Sequence, residues 1–141
     1  MDRDKAYETT WLIRRLFRAM ASLADAYLHS ADLTAADRAV MEFLFADNKL
    51  TVPEIATRYQ VSRQHVQVTV NGLLQKGLLE SQANPRHKRS PLIALSDLGR
   101  ASFAEIRRNE TEQLDRLFEN VAASDLQTTN TTLRSLYDQL R

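Results

Sequence analysis

The sequence predicts a mainly α protein carrying one small β-hairpin, and three observations predict it. Glycine and proline number three each in 141 residues, so long helices can run without interruption. Apolar residues recur at helical spacing along most of the chain. Between residues 78 and 95 that spacing gives way to two short apolar runs around a polar, proline-bounded stretch, which is how a hairpin reads. The length suits one integrated domain that buries its own core.

Each element has its own signal. Residues 4–29 carry two apolar stripes at helical spacing, one of Leu12, Leu16, Ala19, Leu23 and Ala26, the other of Ile13, Phe17, Met20, Ala24 and Tyr27. Two apolar faces predict a helix covered from two sides, one by its own domain and one by a partner chain. Thr34 followed by Asp37 predicts a capped helix start. Val40, Met41, Phe43 and Leu44 predict a short amphipathic helix ending near Asp47 and Asn48. Thr51 with Glu54 forms a capping box, and Pro53 is tolerated in a first turn, so another short helix closes around Arg58 and Tyr59. Ser62 caps the next helix, Val66, Val70, Leu73 and Leu74 mark its buried face, and Gly77 stops it. Leu78 to Ala83 and Leu92 to Leu95 predict strands joined by the loop 84–91. Ser96 caps a long segment with Leu98, Ile106, Leu114, Leu117, Phe118 and Val121 at its apolar positions. Ser124 and Asp125 restart a last helix with Leu126, Leu133, Leu136, Tyr137 and Leu140 on one face.

Composition excludes several function classes. The absence of cysteine removes disulfides, thiolate metal sites and thiol redox chemistry. His29, His65 and His87 fall in three different predicted elements without metal-ligand spacing, and no glycine-rich phosphate loop is present. Neither an enzyme, a cofactor nor a metal site is expected. Charges interrupt the first twenty residues, and no apolar run reaches the length of a membrane span. The expectation is a soluble, cytoplasmic protein with no membrane partner.

Charge distribution points to a partner. Residues 51–95 hold six cations, Arg58, Arg63, Lys76, Arg86, Lys88 and Arg89, against the carboxylates of Glu54 and Glu80, whereas the rest holds 13 cations and 16 carboxylates. A basic middle between acidic ends suits a polyanion. Within it, two helices of unequal length joined at Tyr59, Gln60 and Val61 have the spacing of a helix-turn-helix. The outward positions of the second helix are Arg63, Gln64, His65, Gln67, Val68 and Asn71, and no carboxylate occurs from Ser62 to Leu79. Such a face tolerates a duplex, whose charge density repels carboxylates, and its amides and guanidinium can read base edges.

The stretches LTAADRAVMEFL, LTVPEIATRYQVSRQHVQVTVNGLLQKGLLE and NPRHKRSPLIALSDLG resemble the MarR family of bacterial transcription regulators. The resemblance implies a winged helix-turn-helix at 33–96, flanked by N- and C-terminal dimerisation helices at 1–32 and 97–141. It implies a homodimer on a pseudo-palindromic operator, with a recognition helix 62–76 in the major groove and a wing 84–91 in the minor groove. Ser62, Arg63, Gln64, His65, Gln67, Val68, Asn71, Arg86, His87, Lys88 and Arg89 are then the candidate DNA-binding residues. It also implies a repressor released by a small aromatic or phenolic effector, for which Trp11, Arg15, Tyr27, His29 and Arg38 lie in suitable elements. Three departures stand out. The family's wing carries an Asp two residues before its minor-groove Arg, whereas His87 precedes Arg89 here, and an upstream Asp is replaced by Asn84. Gly72 sits within the recognition helix. The alternative reading is a winged helix that binds another protein and never touches DNA.

Overall fold

The computed structural model describes residues 1–140; Arg141, the last residue of the expected C-terminal segment, lies outside the described residues. The predicted fold class is the observed one. The helices are α1 (Arg3–Ser30), α2 (Ala35–Asp47), α3 (Val52–Tyr59), α4 (Arg63–Gln75), α5 (Asp97–Phe118) and α6 (Ala123–Leu140), and the strands are β1 (Lys49–Leu50), β2 (Leu79–Gln82) and β3 (Leu92–Leu95). The strands form one antiparallel sheet in the order β1-β3-β2, with Leu79 opposite Leu95, Gln82 opposite Leu92 and Leu50 opposite Ile93. The two-residue β1 is an addition to the expected hairpin. It is too short to show any period, and it follows Asn48, a non-glycine residue at φ 64°.

The helix starts are set by side chains that take up otherwise unpaired backbone donors. At α2 the Thr34 backbone N–H donates to Asp37 Oδ2 (2.9 Å) and the Asp37 N–H donates to Thr34 Oγ1 (3.1 Å). At α3 the same box forms between Thr51 and Glu54, at 3.3 Å each way. Ser96 starts α5 by accepting the Gly99 N–H (3.0 Å), while its hydroxyl donates to the Gly77 carbonyl (2.6 Å).

The chain forms two compact units, Met1–Arg107 and the stretch from Arg108 onward. The core of the first unites α2, α3, α4 and the sheet: Val40, Met41, Leu44, Ile55, Val66, Val70 and Leu73 are almost fully buried, with Leu50, Leu79, Ile93 and Leu95 from the strands. Leu28 of α1, together with Phe103 and Ile106 of α5, completes it. Phe103 packs against Phe45 with ring centroids 5.2 Å apart. The expectation that α1 packs one of its stripes on its own domain is corrected. Residues 3–23 are exposed throughout, and contact with the core begins only at Ala24, Tyr27 and Leu28. Periodicity reports that a face is apolar, not which surface covers it. In α5, likewise, Ile106 is buried as expected but Leu98 is 60 % exposed, and the dominant anchor is Phe103.

Candidate nucleic-acid interface

The reading helix is aimed by the turn before it. Gln60 closes α3 in the left-handed region (φ 59°, ψ 41°), which reverses the chain within a single residue. The Val61 N–H returns to the Ala56 carbonyl (3.2 Å). Ser62 then takes extended backbone geometry and accepts the His65 N–H on Oγ (3.0 Å). Ser62 therefore contributes first as a helix cap.

From there α4 buries Val66, Val70 and Leu73 and exposes Arg63, Gln64, His65, Gln67, Val68 and Asn71. These six side chains share the outward face at helical spacing. His65 remains exposed while its ring lies 6.3 Å from that of Tyr59, which in turn lies 6.0 Å from Phe43. Gln67 Nε2 donates to Asn71 Oδ1 (2.9 Å), one turn further on. Gly72 has open space where a Cβ would stand, so no close approach within the chain requires a glycine there.

The loop 84–91 is held by Asn84. Its Oδ1 accepts the Arg86 N–H (3.1 Å) and its Nδ2 donates to the Ser90 carbonyl (2.9 Å). Two backbone turns reinforce it, His87 N–H to the Asn84 carbonyl and Ser90 N–H to the His87 carbonyl, both at 3.2 Å. The amide thus does at this position what a carboxylate cannot, because only an amide both accepts and donates. Arg86, His87, Lys88 and Arg89 are left exposed around the tip.

The structure divides the six cations of the basic middle into two groups. Arg58 pairs with Asp47, and Lys76 reaches Asp32 (3.7 Å) and Asp37 (4.0 Å) as well as the Asp32 carbonyl. Arg63, Arg86, Lys88 and Arg89 form no ion pair among the described residues. Three of them, Arg63, Arg86 and Arg89, line one cleft of about 1100 Å³ between the loop and the start of α3 and α4. The carboxylates bordering that cleft are already engaged, Asp47 with Arg58 and Glu54 in the Thr51 capping box. A neighbouring groove of about 280 Å³ brings Arg63, Gln64 and Gln67 of α4 beside Arg89 of the loop. Residues far apart in sequence therefore converge on one cationic, hydrogen-bonding surface. Charge counting alone missed the separation into committed and free cations, since the pairs close across 11, 39 and 44 residues.

The expected effector residues are not gathered in a single chain. Arg15 lies over the half-exposed Trp11 ring, its guanidinium carbon 4.5 Å from the centroid. Sixteen residues further along α1, about 24 Å at helical rise, Tyr27 is half-buried against the core and His29 is exposed. Arg38 bonds Glu42 Oε2 (2.6 Å) and stands 6.0 Å from the Phe103 ring centroid. No helix is long and apolar enough to cross a membrane among the described residues.

A tri-helical α2–α3–α4 core, a tight α3–α4 turn, and a hairpin whose loop stands beside the second helix define a winged helix-turn-helix protein. The chain belongs to the MarR family: the family's model matches residues 31–90. An uncharacterized protein of Mycobacterium tuberculosis (strain ATCC 25618 / H37Rv) is 38% identical over 96 residues, 68% of this chain and 67% of the relative. The crystal structure of a MarR family transcription regulator matches with a TM-score of 0.93 at 24% identity, covering 98% of this chain and 91% of that one. A mutant MarR from E. coli, complexed with operator DNA, matches with a TM-score of 0.79 at 22% identity, covering 94% and 96%. The family is one of transcription regulators rather than enzymes.

Proposed function

We propose that this chain is a double-stranded DNA-binding transcription regulator that acts as a homodimer, with α4 in the major groove and the loop 84–91 in the minor groove. The observation that carries the reading is the convergence of Arg63, Arg86 and Arg89 with Gln64 and Gln67 on two neighbouring clefts, with Lys88 exposed on the same loop and Asn71 exposed on the same helix, and with no free carboxylate lining the clefts among the described residues. Cations that find no partner within the fold are available to phosphates, and amides offer the paired donor and acceptor that base edges require. On this reading Arg63 and Gln64 read bases, Arg86 and Lys88 meet phosphates, Arg89 enters the minor groove, and Ser62 orients the helix that carries the readers. His65 and His87 stand at its margins. The likeness to a MarR bound to operator DNA supports the same pose.

The dimer rests on α1, which leaves Leu12, Ile13, Leu16, Phe17, Met20 and Leu23 each at least 40 % exposed, and a run of large apolar side chains exposed on one helix marks an interaction surface. Segments 1–32 and 97–141 serve on this reading to join two copies around the 33–96 domain. A regulator of this kind represses by occupying its operator. Release by an aromatic or phenolic acid would use the Trp11–Arg15 pair, a cation over a ring that suits a carboxylate with an aromatic body. Tyr27, His29 and Arg38 could join that site only with the help of a second copy.

Titrating the full chain into a random-sequence duplex at several salt concentrations tests the proposal. A DNA-binding protein gives a steep linear fall of log affinity with log salt; a winged helix that binds only proteins gives no binding at the lowest salt.

A further inference from the structure

Val68 is 67 % exposed, and it is the one large apolar side chain between residues 33 and 96 that stands out among the described residues as strongly exposed. Nothing in the fold calls for it. A β-branched residue on an open helical face is a poorer helix former than alanine or a polar straight chain, and its methyl groups touch water. It sits at the centre of the polar face, one turn after Gln64 and one turn before Asn71. The Gln67–Asn71 bond fixes the second neighbour: Asn71 Oδ1 accepts from Gln67 Nε2, and Asn71 Nδ2 is left as a donor without a partner among the described residues.

An apolar patch three residues from a fixed amide donor has a counterpart in the major groove. Thymine alone among the unmodified bases presents a methyl group, at C5, beside an acceptor, O4. We propose that Val68 is a specificity-determining residue that reads the C5-methyl group of one thymine in each half of the bound duplex, with Asn71 as the neighbouring donor. The inference rests on the reading of α4 as the DNA-facing helix and adds the base it selects.

Uracil differs from thymine only in lacking that methyl. The full chain is used to select its preferred duplex from a random pool, and each thymine of the winner is then replaced by uracil, one symmetric pair at a time. Removing one buried methyl corresponds to about a fourfold loss of affinity, and a symmetric pair to about fifteenfold. One pair of positions should show that loss with the wild-type chain. Val68→Ala should bind the uracil and thymine duplexes within about twofold of each other at that pair. Because Val68 is exposed and alanine is the better helix former, Val68→Ala should keep the wild-type circular dichroism and melt no lower than the wild type. A selected duplex whose uracil substitutions are all without effect overturns the inference, as does a Val68→Ala variant that keeps the full penalty. A chain that selects no duplex at all overturns the DNA-binding reading itself and this inference with it.

Discussion

Gly99 lies directly beneath the Leu78 carbonyl: a Cβ at residue 99 would stand 1.9 Å from that oxygen and 2.9 Å from its carbon. The same carbonyl accepts the Ser96 N–H at 3.0 Å, and the Ser96 hydroxyl reaches the Gly77 carbonyl beside it. The start of α5 and the base of the hairpin therefore share one backbone contact that admits no side chain.

Gly99→Ala should consequently destabilise the fold by about 1–3 kcal/mol, the usual range for overpacking, because the obstacle is backbone that cannot swing aside. Gly72→Ala is the control. Its Cβ meets nothing within 4 Å, and alanine is the better helix former by about 1 kcal/mol. Denaturant melts of the two variants should shift in opposite directions.

The division of the cations predicts two kinds of variant. Arg86→Ala and Lys88→Ala should each lower the magnitude of the slope of log affinity against log salt by about 0.9, the contribution of one phosphate contact on B-DNA. Arg63→Ala, which removes a base reader, should instead relax sequence preference by about 1–3 kcal/mol. Lys76→Ala should leave the slope unchanged, since Lys76 is held by Asp32 and Asp37 at the opposite end of α4. Anisotropy titrations at four salt concentrations separate these outcomes, and an equal change of slope for Lys76→Ala and Arg86→Ala would refute the division.

Asn84→Asp tests how the loop is held. A carboxylate keeps the bond from the Arg86 N–H but loses the donation to the Ser90 carbonyl, and it adds a negative charge beside Arg86, Lys88 and Arg89. Fold stability should change by about 1 kcal/mol, the worth of one part-buried hydrogen bond. Affinity for duplex DNA should fall in Asn84→Asp, and Asn84→Gln, which keeps the amide on a longer side chain, should bind between that variant and the wild type. A variant that binds as tightly as wild type would show that the amide clamp has no part in presenting Arg89.

Much of this was legible in the sequence, because helix starts and stops are local chemistry. Thr34, Thr51 and Ser62 cap where their side chains predict, Gly77 stands at φ 73°, and the helix-turn-helix follows from the distance between those signals. What was not legible depends on contacts between distant residues. Strand β1 exists only because Lys49 and Leu50 meet Ala94 and Ile93. Arg58 and Lys76 counted as available charge until Asp47, Asp32 and Asp37 came into reach. The replacement of an acid by Asn84 shows in the sequence only as a departure from the family's wing, whereas the folded loop uses the amide's extra donor. Phe103 was overlooked in favour of Leu98, because an α5 face buried only over its first turns offers too few positions for its period to stand out.

Hydroxyl-radical footprinting of the full chain on its selected duplex tests the central claim most directly. A homodimer with two copies of α4 in successive major grooves predicts two protected stretches related by a dyad, their centres roughly 34–36 Å or one helical turn apart, with protection in the flanking minor grooves that Arg89→Ala removes. A single asymmetric footprint, or no protection on any duplex at low salt, would contradict it.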